Sequence, residues 1–383
     1  YGRHEVTEED LQAVATVLRS DRLTQGPVVP RFESAVADYC GVGHGVALNS
    51  ATSALHVACL AVGLLPGDWL WTSPNTFVAS ANCGIYCGAQ VDFVDIDART
   101  YNISVTALAQ KLAAAKTAGR LPKVLVPVHF AGQSCDMAAI FKLSREYGFR
   151  IIEDASHAVG GHYQGRPVGC CQYSDITVFS FHPVKIVTTA EGGMALTNNG
   201  DLAGRMRMLR THGITRDPLE MVGPAEGPWF YQQVALGFNY RMTDILAALG
   251  ASQMNRLDTY VARRHEIAGV YDQAFRDLPL ITPSTEAGTR SALHLYVVRL
   301  RLDELSVGRR DVFLSLRAKG IEVNVHYIPV HFHPYYARMG FKANDFPEAE
   351  RYYAEALSLP MFPTLNAEQQ QVVIEAMRES LKT

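Results

Sequence analysis

Residues 123–156 read KVLVPVHFAGQSCDMAAIFKLSREYGFRIIEDAS: two short runs of branched apolar residues, KVLVPVHF and RIIEDAS, flank an amphipathic segment, MAAIFKLSREYG. Both runs are apolar at successive positions instead of every second one, the pattern of strands covered on both faces. Strand, helix, strand is the repeating unit of a parallel sheet with helices packed on it. The alternation extends in both directions. Upstream, VALN precedes TSALHVACLAVGL, WLWTSP precedes TFVASANCGIYCG, and VDFVDID precedes VTALAQKLAAA; downstream come ITVFSF and GGMALTN. A doubly wound α/β domain is expected.

Beyond residue 241 the pattern changes. Residues 242–277 have few helix breakers and read as one long helix connecting two domains. After it comes a smaller α+β unit, with strands expected near LHLYVVRL and EVNVHYI and helices near RRDVFLSLRAKG, PEAERYYAEAL and NAEQQQVVIEAMRESL. The division falls at 255/256, which gives a large domain over 1–255 and a small C-terminal domain over 256–383. Residues 214–237, ITRDPLEMVGPAEGPWFYQQVALG, are aperiodic and rich in Pro and Gly, a long loop of the kind that is usually functional or disordered.

A chain of 383 residues exceeds the size at which one core keeps growing. Its 35 Lys and Arg against 38 Asp and Glu leave a net charge of -3 with no long run of either sign, which argues against nucleic acid or a membrane surface as partner. No stretch approaches the roughly 18 uninterrupted apolar residues of a membrane span. The seven cysteines form an odd count without a CxxC pair and sit mostly in apolar segments, as reduced thiols of a cytoplasmic protein do. Charges near the N-terminus occupy the place where a signal peptide needs its apolar stretch, so export is not expected.

The chemistry is carried by SFHPVKIVTTAEGGM, residues 180–194. Lys185 would ordinarily be read as a surface lysine. Here, however, ITVFSF delivers the chain to the sheet edge where α/β proteins bind ligands, and Gly192 and Gly193 mark a close passage of backbone. Apolar surroundings disfavour the ammonium form and leave a free amine able to condense with an aldehyde. Asp154 ends the run RIIED and should emerge at the same edge. An aspartate there commonly caps a helix; beside Lys185 it reads as the partner of the protonated ring nitrogen of pyridoxal phosphate. Thr52 and Ser53, in NSATSALH after VALN, are either a plain helix cap or a phosphate seat at a helix N-terminus. Phe77, in SPNTFVAS, is either core or a stacking surface for the cofactor ring.

EDASHA, then FSFHPVK with TTAEGG, then LGFNYRMTDILAALG, in this order and spacing, resemble the DegT/DnrJ/EryC1/StrS family of nucleotide-sugar aminotransferases. The likeness runs from LTQGPVVPRFE to LSLPMFP. It implies an α/β, aspartate-aminotransferase-like fold of the pyridoxal phosphate enzymes (fold type I): a large domain with a mostly parallel seven-stranded sheet, a smaller C-terminal α+β domain, and a homodimer with shared active sites. It further implies Lys185 and Asp154 as the catalytic pair, the first bound to the cofactor aldehyde and the second to the ring nitrogen, with pyridoxamine phosphate formed during the cycle. His157 would stand beside the ring hydroxyl. Thr52, Ser53 and Ser180 would hold the phosphate, joined by Asn239 reaching across from the second subunit. Tyr1, Asp21, Arg22, Leu23, Thr24 and Ala51, with Val325, His326, Tyr327 and Ile328, would contact the nucleotide sugar, as would Ser180 and Asn239. NSATSALH and VHYIPVHFHPYY further imply amination at C4 of UDP-2-acetamido-2,6-dideoxy-β-L-arabino-hex-4-ulose with L-glutamate as donor, a step toward pseudaminic acid; another nucleotide-linked 3- or 4-keto-6-deoxysugar is the alternative.

Other readings fit less well. His326, His331 and His333 invite a metal site, but no carboxylate stands at ligand spacing and two prolines break any helical geometry, so a polar sugar pocket suits them better and no metal is expected. A non-catalytic cofactor-binding regulator would call for a basic face or a DNA-binding module, and the sequence has neither. Deoxygenating relatives that use the same cofactor carry His where this chain has Lys185. A nicotinamide enzyme would call for GxGxxG after a strand, whereas GVGHGVALN precedes one.

Overall fold

The computed structural model describes residues 2–382. Over the described residues a seven-stranded sheet is built from β1 His44–Leu48, β2 Trp69–Thr72, β3 Gln90–Phe93, β4 Val124–Val126, β5 Arg150–Asp154, β6 Ile176–Ser180 and β7 Gly193–Thr197, in the spatial order β1-β7-β6-β5-β4-β2-β3. Strand β7 runs antiparallel to both of its neighbours and the remaining pairs are parallel. The sheet is therefore mostly parallel, as the doubly covered strands imply.

The helices of this unit are α1 Glu8–Leu18, α2 Val28–Cys40, α3 Ala51–Ala61, α4 Ala79–Tyr86, α5 Val105–Ala118, α6 Met137–Tyr147, α7 Gly200–Leu209 and α8 Asp244–Met254. Local chemistry fixes their ends. Ser104 and Asp136 cap α5 and α6 by accepting the N–H groups of Ala107 and Ala139, and Gly119 and Gly148 stop them in the left-handed conformation at φ 65° and 80°. Successive residues of β5 then face opposite layers: Ile151 packs with Trp71, Leu125 and the apolar sides of α5 and α6, whereas Ile152 packs with Val124, Val126 and the α3–α4 pair. Continuing this period of two puts Asp154 on the α3–α4 side, where the ligand cavity opens.

The expected single helix over 242–277 is two helices. Helix α8 ends at Met254, and α9 runs Leu257–Ala274 after a break at Asn255 and Arg256, the latter non-helical at φ -111°. The break lets the Arg256 guanidinium reach the buried Asp10 carboxylate at 2.6 Å while its Nε donates to Tyr260. Beyond α9, strands β8 Leu280–Ile281, β9 Tyr296–Leu300 and β10 Ala356–Leu359 form an antiparallel sheet, with helices α10 Arg309–Ala318, α11 Pro347–Glu355 and α12 Ala367–Ser380. The strand expected at EVNVHYI is absent from the described elements: only Asn324 pairs, with Ser358, and the following side chains turn toward the cavity. The partner strand is ALSL, fully buried β10, whose first two residues, Ala356 and Leu357, are those expected to end the helix PEAERYYAEAL. We propose 255/256 as the domain division, with Thr289–Arg290 crossing back to pair with His162–Tyr163.

The segment 214–237 is not wholly loop. Ile214–Thr215 pairs with Gln232–Gln233, while Leu219, Val222 and Trp229 between them stand exposed. Among the described residues no helix is long and apolar enough to cross a membrane.

Candidate active site

Strands β5 and β6 end side by side, Asp154 opposite Val178, and the chain leaves Ser180 through a turn closed by the Lys185 N–H on the His182 carbonyl at 2.8 Å. Helix α3 starts directly after β1. These pieces, with the extended segment 324–327, enclose a cavity of about 420 Å³. Its walls bring together Lys185, Asp154, Thr52, Ser180 and His157, which lie up to 133 residues apart in the chain (Thr52 to Lys185).

The Lys185 amine has no hydrogen-bond partner among the described residues. Burial pulls its pKa down from 10.5 to about 8, and the nearby Asp154 carboxylate opposes part of that fall. Near neutrality the amine is therefore still mostly protonated, but its neutral form is far more accessible than in an exposed lysine. Asp154 is 5% exposed and held from two sides: Oδ2 accepts from Ser80 Oγ at 2.6 Å and Oδ1 from the Ser156 N–H at 3.1 Å. Ser80 is braced in turn by Thr76 at 2.7 Å. The carboxylate thus keeps one orientation.

At the start of α3, Ser50 is the cap: its Oγ accepts the Ser53 N–H at 3.1 Å and meets Ser53 Oγ at 3.0 Å. Ser53 is consumed by this cap and does not line the cavity, whereas Ser50, Ala51 and Thr52 do. The helix start reaches the cavity because β7 begins with glycine. A Cβ at Gly193 would lie 2.5 Å from the Ala51 nitrogen, closer than atoms can pack. Free N–H groups and the positive end of the helix dipole favour an anion at this edge.

His157 is 6% exposed. Its Nδ1 accepts the Ala131 N–H at 3.2 Å, so the ring proton resides on Nε2, which lies 3.0 Å from the Tyr327 hydroxyl. Burial, reinforced by Lys185 and His326, holds His157 well below the usual histidine range, and the ring is neutral. His326 joins the Ser358 hydroxyl at 2.8 Å and is lowered to about 3 by burial and by Lys185. His331 instead meets Glu350 at 3.0 Å, away from His326.

Phe77 stands 57% exposed at the cavity wall, its ring 6.2 Å from that of Tyr327. Val325, His326 and Tyr327 also line the cavity, and Ile328 lies outside it, 45% exposed. Asp21, Arg22, Leu23 and Thr24 are elsewhere in the single chain: the Leu23 carbonyl accepts the Asp244 N–H at 3.0 Å, and Thr24 bridges Thr243. Asn239 bridges Thr211 and is likewise outside the cavity of its own chain. Tyr1 lies outside the described residues. Sequence reasoning passed over Ser50, Ser80, His182, Glu191 and Asn324. Ser50, His182 and Glu191 sat inside motifs that had been singled out, but nothing near Ser80 in sequence signals its bond to Asp154, 74 residues away.

A pyridine aldehyde bearing a phosphate calls for an amine, a carboxylate for the ring nitrogen and several donors for the phosphate, and the cavity has all three. The glycine cradle under α3, which a Cβ would fill, is matched to such a phosphate.

The sequence model of the DegT/DnrJ/EryC1/StrS aminotransferase family matches residues 4–378. The spore coat polysaccharide biosynthesis protein SpsC of Bacillus subtilis is 42% identical over 380 residues, 98% of this chain and 95% of that protein. A UDP-4-amino-4,6-dideoxy-N-acetyl-beta-L-altrosamine transaminase of Campylobacter jejuni is 36% identical (96% and 93%), and a GDP-perosamine synthase of Caulobacter vibrioides 38% (93% and 91%). The solved structure of Helicobacter pylori PseC, an aminotransferase of pseudaminic acid biosynthesis, superposes with a TM-score of 0.91 at 31% identity, covering 100% of this chain and 98% of that one.

Proposed function

The chain belongs to the DegT/DnrJ/EryC1/StrS aminotransferase family and is a nucleotide-sugar aminotransferase that uses pyridoxal phosphate; from that premise we propose that it moves the amino group of L-glutamate to C4 of a UDP-linked 4-keto-6-deoxy-N-acetylhexosamine. The favoured substrate is UDP-2-acetamido-2,6-dideoxy-β-L-arabino-hex-4-ulose. The supporting observation is that one cavity is lined by both the Lys185 amine and the Asp154 carboxylate and is walled by Val325, His326 and Tyr327.

Pyridoxal phosphate, when bound, supplies the aldehyde that takes up the amino group and a pyridinium ring that draws off an electron pair. Asp154 would accept the ring N–H and keep the ring charged. Lys185 Nζ, in the neutral form that its lowered pKa makes accessible, accepts the proton of glutamate Cα in the first half of the cycle and delivers a proton to sugar C4 in the second. Thr52, Ser180 and the free N–H groups of α3 would hold the phosphate. His157 offers its Nε2 proton to an oxygen acceptor. Glutamate leaves as 2-oxoglutarate, and its nitrogen replaces the C4 carbonyl oxygen of the sugar. The active unit of this reading is a homodimer in which Asn239 completes the neighbouring site.

A GDP-linked keto sugar is the second reading, favoured by the likeness to a GDP-perosamine synthase. Incubating the loaded enzyme with glutamate and each keto sugar separately, and weighing the products, decides between them. The UDP-linked 4-amino product is expected; amination only of GDP- or dTDP-linked sugars, or only at C3, contradicts the proposal.

A further inference from the structure

Arg264, on α9, is 1% exposed, and burial alone accounts for the lowering of its pKa to about 10, with no neighbouring anion opposing it. Among the described residues no carboxylate pairs with it. Its Nη1 donates instead to three carbonyls, those of Leu293 at 3.1 Å, His294 at 3.1 Å and Met361 at 3.0 Å, and its Nε is left without a partner. A buried cation neutralised by nothing but peptide dipoles is an expensive way to hold a loop. What it holds is the far side of the junction that orients His157.

The Ala292 N–H donates to the Gly132 carbonyl at 3.0 Å and the Leu295 N–H to the Ala131 carbonyl at 3.3 Å, so residues 292–295 are stitched to the turn Phe130–Gly132. The two backbones touch: a Cβ at Gly132, where φ is 101°, would sit 2.8 Å from the Leu293 nitrogen and 3.0 Å from the His157 carbonyl. Ala131 and Leu293 adopt left-handed φ values of 57° and 50°, conformations that persist only where the surroundings over-determine them. The Ala131 N–H is the group that meets His157 Nδ1, and the His294 ring lies 4.5 Å from the His157 ring.

We propose that Arg264 is a positioning residue: by gathering the carbonyls of Leu293, His294 and Met361 it locks the Phe130–Gly132 turn against His157 and fixes that imidazole as its Nε2–H tautomer. The catalytic consequence rests on the reading of His157 as a cofactor neighbour; the tautomer does not.

Long-range proton–nitrogen NMR of the loaded enzyme with labelled histidine reads the tautomer without any sugar substrate, so its outcome is separate from the substrate assignment. The wild type is expected to show His157 with its proton on Nε2 alone. In Arg264→Met the Nδ1–H form should appear, and kcat should fall about tenfold while KM for glutamate stays within about twofold. Arg264→Lys, which keeps the charge but loses the forked donor, should move both readouts in the same direction by less, and serves if the Met variant does not fold. A wild-type His157 protonated on Nδ1, or folded variants whose tautomer signal matches the wild type, overturns the proposal.

Discussion

At the scale of single residues, the pair proposed to carry the chemistry is Lys185 and Asp154, and their coupling has a sign. Asp154 raises the Lys185 pKa against a larger lowering by burial, leaving it at about 8. Below pH 8 the amine is protonated in folded and unfolded chains alike, and folding bears the full cost of burying that charge. Between pH 8 and 10.5 the unfolded chain binds a proton that the folded chain has lost, so the stability of the cofactor-free protein rises with pH across that window. Capture of pyridoxal phosphate by the apoprotein should accelerate with pH around a midpoint near 8. In Asp154→Asn the midpoint should move down, because the charge supporting the ammonium is gone; a stopped-flow pH series that shows it unchanged or raised contradicts the coupling. The placement of both residues at the cavity was legible in sequence because each ends or follows a strand whose apolar run fixes where it emerges. Ser80 and Asn324 were not, since only tertiary folding brings them to the cavity.

At the scale of elements, the proposed phosphate seat depends on β7 passing beneath the first turn of α3. Replacing Gly193 with Ala puts a methyl group into backbone atoms at 2.5 Å, not into a flexible side chain. We expect a loss of about 1–3 kcal/mol in urea unfolding together with weaker cofactor retention. Ser50→Ala, which removes the cap of α3, should cost about 1 kcal/mol by the same measurement. Gly193→Ala with unchanged stability and cofactor affinity would show that the close approach does not matter. Strands buried on both faces announced themselves in the sequence, as Ile151 and Ile152 illustrate by packing into opposite layers. ALSL is a strand because β10 follows α11 without a turn residue, and EVNVHYI is not one because residues 325–327 spend their side chains on the cavity instead of on a sheet face. The break at Arg256 was invisible for a similar reason: the partner that draws it out of helix, Asp10, is 246 residues away.

At the scale of the whole molecule, the C-terminal unit is tied to the large one through Arg299. This residue of β9 is 6% exposed, pairs with Glu355 at 2.6 Å and donates to the Ala98 carbonyl at 3.0 Å. Arg299→Met strands a carboxylate and an acceptor, and should destabilise the protein by about 3 kcal/mol in chemical denaturation, with part of the loss restored by adding Glu355→Gln. A change below about 0.5 kcal/mol would mean the tie is dispensable. Everything above the level of fold turns on which lysine carries the cofactor. Reducing the loaded enzyme with borohydride, digesting it and mapping the pyridoxyl group by mass spectrometry answers that in one step: the label should be found on Lys185, and a label on any other lysine, or none at all, would contradict the assignment of this cavity.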